Sequence, residues 1–244
     1  MSKKKTEPWY VEMSKTVFWA VGIAVIFRSF LFEPFSIPSG SMIPTLKVGD
    51  YLFVSKYSYG YSRYSFPFGI IPFSGRIGEN IPERGDVIVF RKPGAEHIDY
   101  IKRLVGLPGD TIAVTGGILH INGKAVKRSL QEDAEVDTGL FVRQAKIYIE
   151  TLPGGREHLI QELSDQNSMD NTVPVKIPEG HYFFMGDNRD NSRDSRAEVG
   201  FVPAENLIGR AEFLFFSHNG SASIFEIWKW PFAIRFGRIG QGIE

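Results

Sequence analysis

The chain of 244 residues contains no cysteine. That excludes disulfides, thiolate metal sites and a cysteine nucleophile, and it leaves the redox compartment open. The formal net charge is zero, with 28 basic and 28 acidic residues, so no excess of positive charge points to nucleic acid. The five histidines, His97, His120, His158, His181 and His218, are scattered, with no close pair and no HExxH pattern. No metal or other cofactor is therefore expected. Beyond residue 33 no segment keeps a 3.6-residue apolar period, which argues against a helical bundle.

What is present favours strands and turns. There are 20 Phe, 25 Gly and 14 Pro, a composition suited to a mainly β domain. The N-terminus differs. Residues 1–15 are polar and carry Lys3, Lys4, Lys5 and Lys15, and residues 16–32 are apolar apart from Arg28. This run sits at the short end of the about 17–25 residues that span a bilayer. Arg28 near its far end can snorkel, and Trp9, Tyr10 and Trp19 suit an interface. A cleaved signal peptide would need a small-x-small site, and the nearest, Ser39-Gly40-Ser41, is embedded in prolines. A buried core helix would show a polar face. The expectation is a cytoplasmic tail over 1–15, one uncleaved transmembrane helix over 16–33, and an outward-facing domain over 34–244. The lysines before the helix set that orientation.

Pro38-Ser39-Gly40-Ser41-Met42-Ile43-Pro44-Thr45 follows. Two prolines stiffen the segment and exclude it from helix and central strand. Such a stretch is usually a surface turn, but a hydroxyl on a stiff, kinked segment is also how a nucleophilic serine is presented. Strands are then expected over 50–54, 87–90, 99–105, 111–114, 118–126, 181–185 and 200–216, with Asn122-Gly123 as a hairpin turn. The aromatic stretch 57–73 reads equally as an exposed ribbon or a small aromatic core. Residues 128–172 read as a polar, irregular insertion, with a strand over 141–151 and a loop over 154–171. The expected fold is a mainly β, antiparallel sheet or open barrel with a smaller inserted subdomain.

Alternation along 99–105 puts Tyr100, Lys102 and Leu104 on one face and Asp99, Ile101 and Arg103 on the other. Lys102 is either a snorkelling edge lysine or a desolvated general base for a serine. The loop 186–196, Gly-Asp-Asn-Arg-Asp-Asn-Ser-Arg-Asp-Ser-Arg, lacks the spacing of a calcium loop. It suits a solvated turn or a polar network that fixes a catalytic side chain. Arg189 or Arg196 would add repulsion that lowers the Lys102 pKa.

Five segments in this order, 38–45, 84–90, 99–110, 186–196 and 200–203, together resemble the bacterial type I signal peptidases. The resemblance implies a membrane serine endopeptidase that removes signal peptides at the outer face of the cell membrane. Ser41 then corresponds to the nucleophile and Lys102 to the general base. Ser39 corresponds to the hydroxyl that joins the Ser41 N–H in an oxyanion hole, and Ser192 to the hydroxyl that orients the lysine. Asp194, Arg196 and Arg103 fall in the supporting network. Phe35, Ile37, Pro38, Met42, Leu46, Leu52, Val89, Asp99, Tyr100 and Ile101 fall where the family binds substrate, with shallow pockets for small P1 and P3 side chains. Implied partners are signal peptides of exported pre-proteins, the lipid bilayer and the secretion translocon. The chain departs from the family's larger members in having one span, a shorter insertion and no disulfide. A self-cleaving Ser/Lys repressor would need a DNA-binding module, and a membrane-anchored binding protein would leave Ser41 and Lys102 idle.

Overall fold

The computed structural model describes residues 8–66, 73–137, 142–222 and 226–244. Helix α1 spans Trp9–Phe30, starting earlier than the expected residue 16. Residues 9–15 include the good helix formers Glu12, Met13 and Lys15 and no Gly or Pro, so the helix extends outside the apolar run. Its side chains are exposed apart from Ser29 and a few half-buried positions. Phe32 and Glu33, expected in the helix, instead open strand β1 (Phe32–Ser36), where Pro34 stops helical continuation.

The other strands are β2 (Asp50–Ser55), β3 (Val87–Lys92), β4 (Ala95–Gly106), β5 (Thr111–Thr115), β6 (Ile118–Ile121), β7 (Lys124–Ala125), β8 (Lys127–Asp137), β9 (Val142–Thr151), β10 (Glu157–Glu162), β11 (Val175–Lys176), β12 (His181–Met185), β13 (Val202–Pro203) and β14 (Leu207–Ser217). A seven-stranded sheet runs β1-β2-β14-β3-β4-β12-β13, beside a four-stranded sheet β11-β5-β6-β7 and a three-stranded sheet β10-β9-β8. All the named pairs are antiparallel, so the architecture is the mainly β one expected. Asn122 and Gly123 take φ of 54° and 76°, as the two-residue β6–β7 turn requires.

The region 128–172 is more ordered than its composition suggests. Strand β9 is the strand expected over 141–151, with Ala145, Ile147 and Ile149 alternating toward the interior, and it forms a long hairpin with β8, whose described side chains are mostly polar and exposed and carry no apolar alternation. Strand β10 lies inside the stretch 154–171 that was expected to be a loop. Its buried residues include His158, Gln161 and Glu162, and polar burial hides the strand pattern. In the aromatic stretch, Tyr59 is buried and its hydroxyl donates to Asp86, while Phe30 of α1 packs edge-on against Tyr61 and Phe66. The described part is thus a small core against the helix end, and residues 67–72 lie outside the described residues.

The helix end is fastened to the sheet. Tyr61 Oη donates to Phe30 O at 2.9 Å, Arg28 pairs with Glu33, and Glu33 meets the buried Lys56 at 2.7 Å.

Candidate active site

The segment after β1 is pinned from beneath. Met42 and Leu46 are fully buried in a core with Leu52, Val54, Val87 and Val89. Leu46 N donates to Met42 O, Ile37 N donates to Asp50 O at the start of β2, and Gly49 N donates to Ile37 O. Asp50 accepts from Lys47 N, Ser217 and Arg238, and these donors hold its carboxyl below the usual range although burial opposes it. The result is a rigid turn that raises Ser41 to the sheet surface.

Lys102 on β4 sits beside Ile88 of β3 and is 3% exposed. Its Nζ lies 2.5 Å from Ser41 Oγ and 2.9 Å from Ile101 O. The Tyr100 ring covers it, with Nζ 5.4 Å from the centroid. Burial pulls the Lys102 pKa down to about 8, against the opposing carboxylates of Asp194 and Asp187. The expected repulsion from Arg189 or Arg196 is not among the causes, because each guanidinium is engaged by a carboxylate. Arg189 is bidentate on Glu150 of β9, and Arg196 chelates Asp194.

The loop 186–196 packs directly behind the pair. Asp194 Oδ2 also accepts from Gly186 N at 3.0 Å. Arg103 lies on the opposite face to Lys102 and makes a buried pair with Asp187 at 2.9 and 2.8 Å. Asp187 in turn accepts from Thr45 Oγ1 at 2.5 Å, joining the loop to the serine turn. Burial resists its ionisation, and the Arg103 charge outweighs burial, so its pKa is lowered. Ser192 is buried, and among the described residues its Oγ makes no hydrogen bond to Lys102, so the expected orienting bond is absent. The lysine is oriented instead by Ile101 O and Ser41. Ser39 is exposed at the surface, its Oγ 3.5 Å from Ser41 Oγ.

A groove of about 750 Å³ runs over this pair. Of the expected substrate residues, Phe35, Ile37, Pro38, Val89, Asp99, Tyr100 and Ile101 line it. Met42, Leu46 and Leu52 do not; they are fully buried below the floor and shape it from underneath. Sequence reasoning missed Arg28, Glu33, Arg91 and Arg193 at the groove. It also missed Asn188, which bonds to the backbone of both Gly40 and Ser41. Its place in the wholly polar run 187–196 gave it no distinguishing signal. Among the described residues, no histidine bonds to Ser41 or Lys102 and no cluster of three or more metal-type ligands occurs. His158 is buried beside Glu150 at 3.3 Å.

Such a groove can take an extended chain. Strand β1 is the sheet's edge, and β12 pairs with β4 only from Arg103 to Gly106, so residues 98–102 have no strand partner on that side among the described residues. A hydroxyl against an amine whose pKa is drawn down toward neutrality, at the floor of such a groove, can carry out acyl transfer.

A family model described as "Signal peptidase, peptidase S26" matches residues 10–216. A signal peptidase I of Rickettsia typhi is 43% identical over 211 residues, covering 82% of this chain and 77% of the relative. One from Rickettsia canadensis is 43% identical over 226 residues, covering 88% and 83%. A solved signal peptidase I from Enterococcus faecalis V583 is 29% identical and covers 54% of this chain and 97% of its own, with a TM-score of 0.32.

Proposed function

The chain belongs to the peptidase S26 family of signal peptidases and cleaves signal peptides from exported proteins, and we propose that Ser41 is its nucleophile and neutral Lys102 its general base. The observation that carries this reading is the 2.5 Å approach of a buried lysine nitrogen to a serine hydroxyl. A free lysine, with a pKa of about 10.4, is almost wholly protonated at neutral pH. At a pKa of about 8, roughly a tenth of the enzyme carries the free amine at pH 7.

The signal peptide lies as an added strand between β1 and residues 98–102, which suits main-chain recognition. Ser41 Oγ attacks the scissile carbonyl carbon while its proton passes to Lys102 Nζ. The Ser41 N–H and Ser39 hydroxyl donate to the resulting oxyanion. The intermediate collapses, the C–N bond breaks, and the Lys102 ammonium gives its proton to the leaving amine. Water then attacks the acyl-enzyme with Lys102 again accepting the proton, and Ser41 is restored. P1 and P3 of an extended chain point to one side. The apolar walls at Ile37, Val89 and Ile101 leave room there for small side chains, so cleavage follows small-x-small sites.

Helix α1 serves as a single uncleaved anchor, with the N-terminus cytoplasmic and the β domain outside. Its length, exposed apolar surface and preceding lysines support that orientation. Arg28 from the helix end lines the groove, so substrate is met where the bilayer ends. The bilayer and the secretion translocon are the partners in that arrangement.

The test uses the purified full chain in detergent and a synthetic signal peptide with Ala at P3 and P1. Wild type cleaves it and Ser41→Ala does not, while Phe or Lys at P1 blocks cleavage. Cleavage by folded Ser41→Ala, or equal rates for Ala and Phe at P1, would defeat the reading.

A further inference from the structure

Resting on the Ser41 nucleophile proposed above, we infer that Asn188 is a positioning residue that aims the Ser41 N–H at the oxyanion. The peptide unit between Gly40 and Ser41 is trans, since the cis bond among the described residues is Ile43–Pro44. In a planar trans unit the carbonyl and the N–H point in opposite directions. Whatever holds the Gly40 carbonyl therefore sets the direction of the Ser41 N–H.

Gly40 O accepts two hydrogen bonds, one from Asn188 Nδ2 at 3.0 Å and one from Ile43 N at 3.2 Å. The next carbonyl, Ser41 O, accepts from Asn188 N at 3.1 Å. One residue thus grips two successive carbonyls of the nucleophile turn, through its side chain and its main chain. The Ser41 N–H itself makes no hydrogen bond within the described residues, and Ser41 lines the groove with Ser39 and Gly40. With the carbonyl drawn toward the loop 186–196, the N–H is turned away from that loop and kept available.

Asn188 is in turn fixed. It is 3% exposed, bridges to Gln161 at the end of β10, and its own carbonyl accepts from Asn191 N at 3.1 Å. Its Oδ1 is buried without a donor among the described residues, an arrangement that costs stability. Turning the amide over would set oxygen against the Gly40 oxygen, so the bond to Gly40 defines which way the amide sits. Strand β10 of the inserted sheet thereby reaches the oxyanion donor through a single side chain.

The experiment compares Asn188→Ala and Asn188→Asp with wild type in the full chain. The second keeps the shape but replaces the donor with an oxygen that repels Gly40 O. Rates are taken per folded active site and at the pH plateau. In both variants kcat falls about 10- to 100-fold, less than the ~10²–10³ lost with an oxyanion donor itself, and KM is unchanged. The ascending limb of the Asn188→Ala pH profile stays at the wild-type position. Affinity for a peptide boronate, which presents a tetrahedral anion to the Ser41 N–H, falls in step with kcat. A kcat within about twofold of wild type in either folded variant, a rise in KM alone, or an unchanged boronate affinity beside a reduced kcat would overturn the inference. Ser41→Ala is assayed alongside. If it still cleaves, the nucleophile reading fails; if it is dead while the Asn188 variants turn over normally, the Asn188 inference alone falls.

Discussion

Lys102 Nζ lies 2.5 Å from Ser41 Oγ across 61 positions of chain, and the same nitrogen lies 2.9 Å from the carbonyl of its neighbour Ile101. A neutral amine has two protons and one lone pair. With one proton donated to Ile101 O, the lone pair can face the Ser41 hydroxyl. Activity should follow the population of that neutral form, so kcat/KM rises with pH through a limb near the Lys102 pKa of about 8. Lys102→Arg should be nearly inactive, because a guanidinium stays protonated. Lys102→Met should lose more than about 10²-fold in kcat, the scale of a missing general base. The pH dependence of kcat/KM on a peptide substrate checks all three. A limb near the free-lysine value, or substantial turnover by folded Lys102→Met, would remove Lys102 from the base role.

The same shift has a stability counterpart. Lys102 has a folded pKa of about 8 against 10.5 for an unburied lysine, so the unfolded chain holds the extra proton between these values. Stability therefore rises with pH across that window and is lowest below it. The penalty at neutral pH is on the order of 3 kcal/mol. Lys102→Met, apolar and similar in length, should raise Tm at pH 6 and lose that advantage by pH 10.5. Thermal melts of both proteins across this range test it, and a Lys102→Met variant less stable at pH 6 than wild type would contradict it.

The legible parts of the chain were those where local chemistry is one-sided. The stiff Pro38–Pro44 turn, the alternating strand around Lys102 and the Asn122-Gly123 hairpin each follow from residues close in sequence. Ordered motifs added the pairing of Ser41 with Lys102, which no local pattern encodes. The illegible parts depend on tertiary partners. Met42, Leu46 and Leu52 look like groove residues because they are apolar and near Ser41, but apolarity does not distinguish a wall from the core behind it. Strand β8 has mostly polar, exposed side chains, unlike β9, whose strand over 141–151 was legible, and β10 buries His158, Gln161 and Glu162 through contacts made far along the chain. Ser192 was assigned by position in a motif, and its hydroxyl stands without the bond that position implied.

The Asp194 carboxylate acts on Lys102 against burial, raising the lysine pKa. Removing it should let burial act less opposed, helped by the Arg196 guanidinium that loses its partner. Asp194→Asn should therefore shift the ascending limb of kcat/KM to lower pH. The Arg196–Asp194 pair is almost fully buried, so breaking it should also cost about 3–5 kcal/mol of stability. Rates must be taken on the folded fraction, measured by denaturant titration. A limb that stays in place or moves toward higher pH would show that the Asp194 charge does not raise the Lys102 pKa.

Gly186 stands where the loop meets the dyad, and space rather than backbone angle explains the glycine. A Cβ added there would overlap Ser192 Oγ and lie 2.5 Å from both Ser192 Cβ and the Ser41 carbonyl oxygen. Ser41 O belongs to the main chain of the nucleophile turn and already accepts from Asn188 N at 3.1 Å, so it cannot swing aside as a flexible side chain would. Relief must come from moving Ser41, Ser192 or the loop itself. Overpacking of this kind costs about 1–3 kcal/mol, which leaves the protein folded, and a displacement near 1 Å at a reacting group costs about 10²-fold in rate. Gly186→Ala should thus lose far more kcat than stability. Gly237→Ala is the control, since a Cβ there meets nothing within 4 Å and no unusual backbone angle is needed; it should leave both unchanged. The two variants are compared with wild type by Tm and by kcat/KM on the Ala-x-Ala peptide. Wild-type turnover by Gly186→Ala would mean that the contact between this loop and the Ser41 carbonyl does not govern the position of the nucleophile.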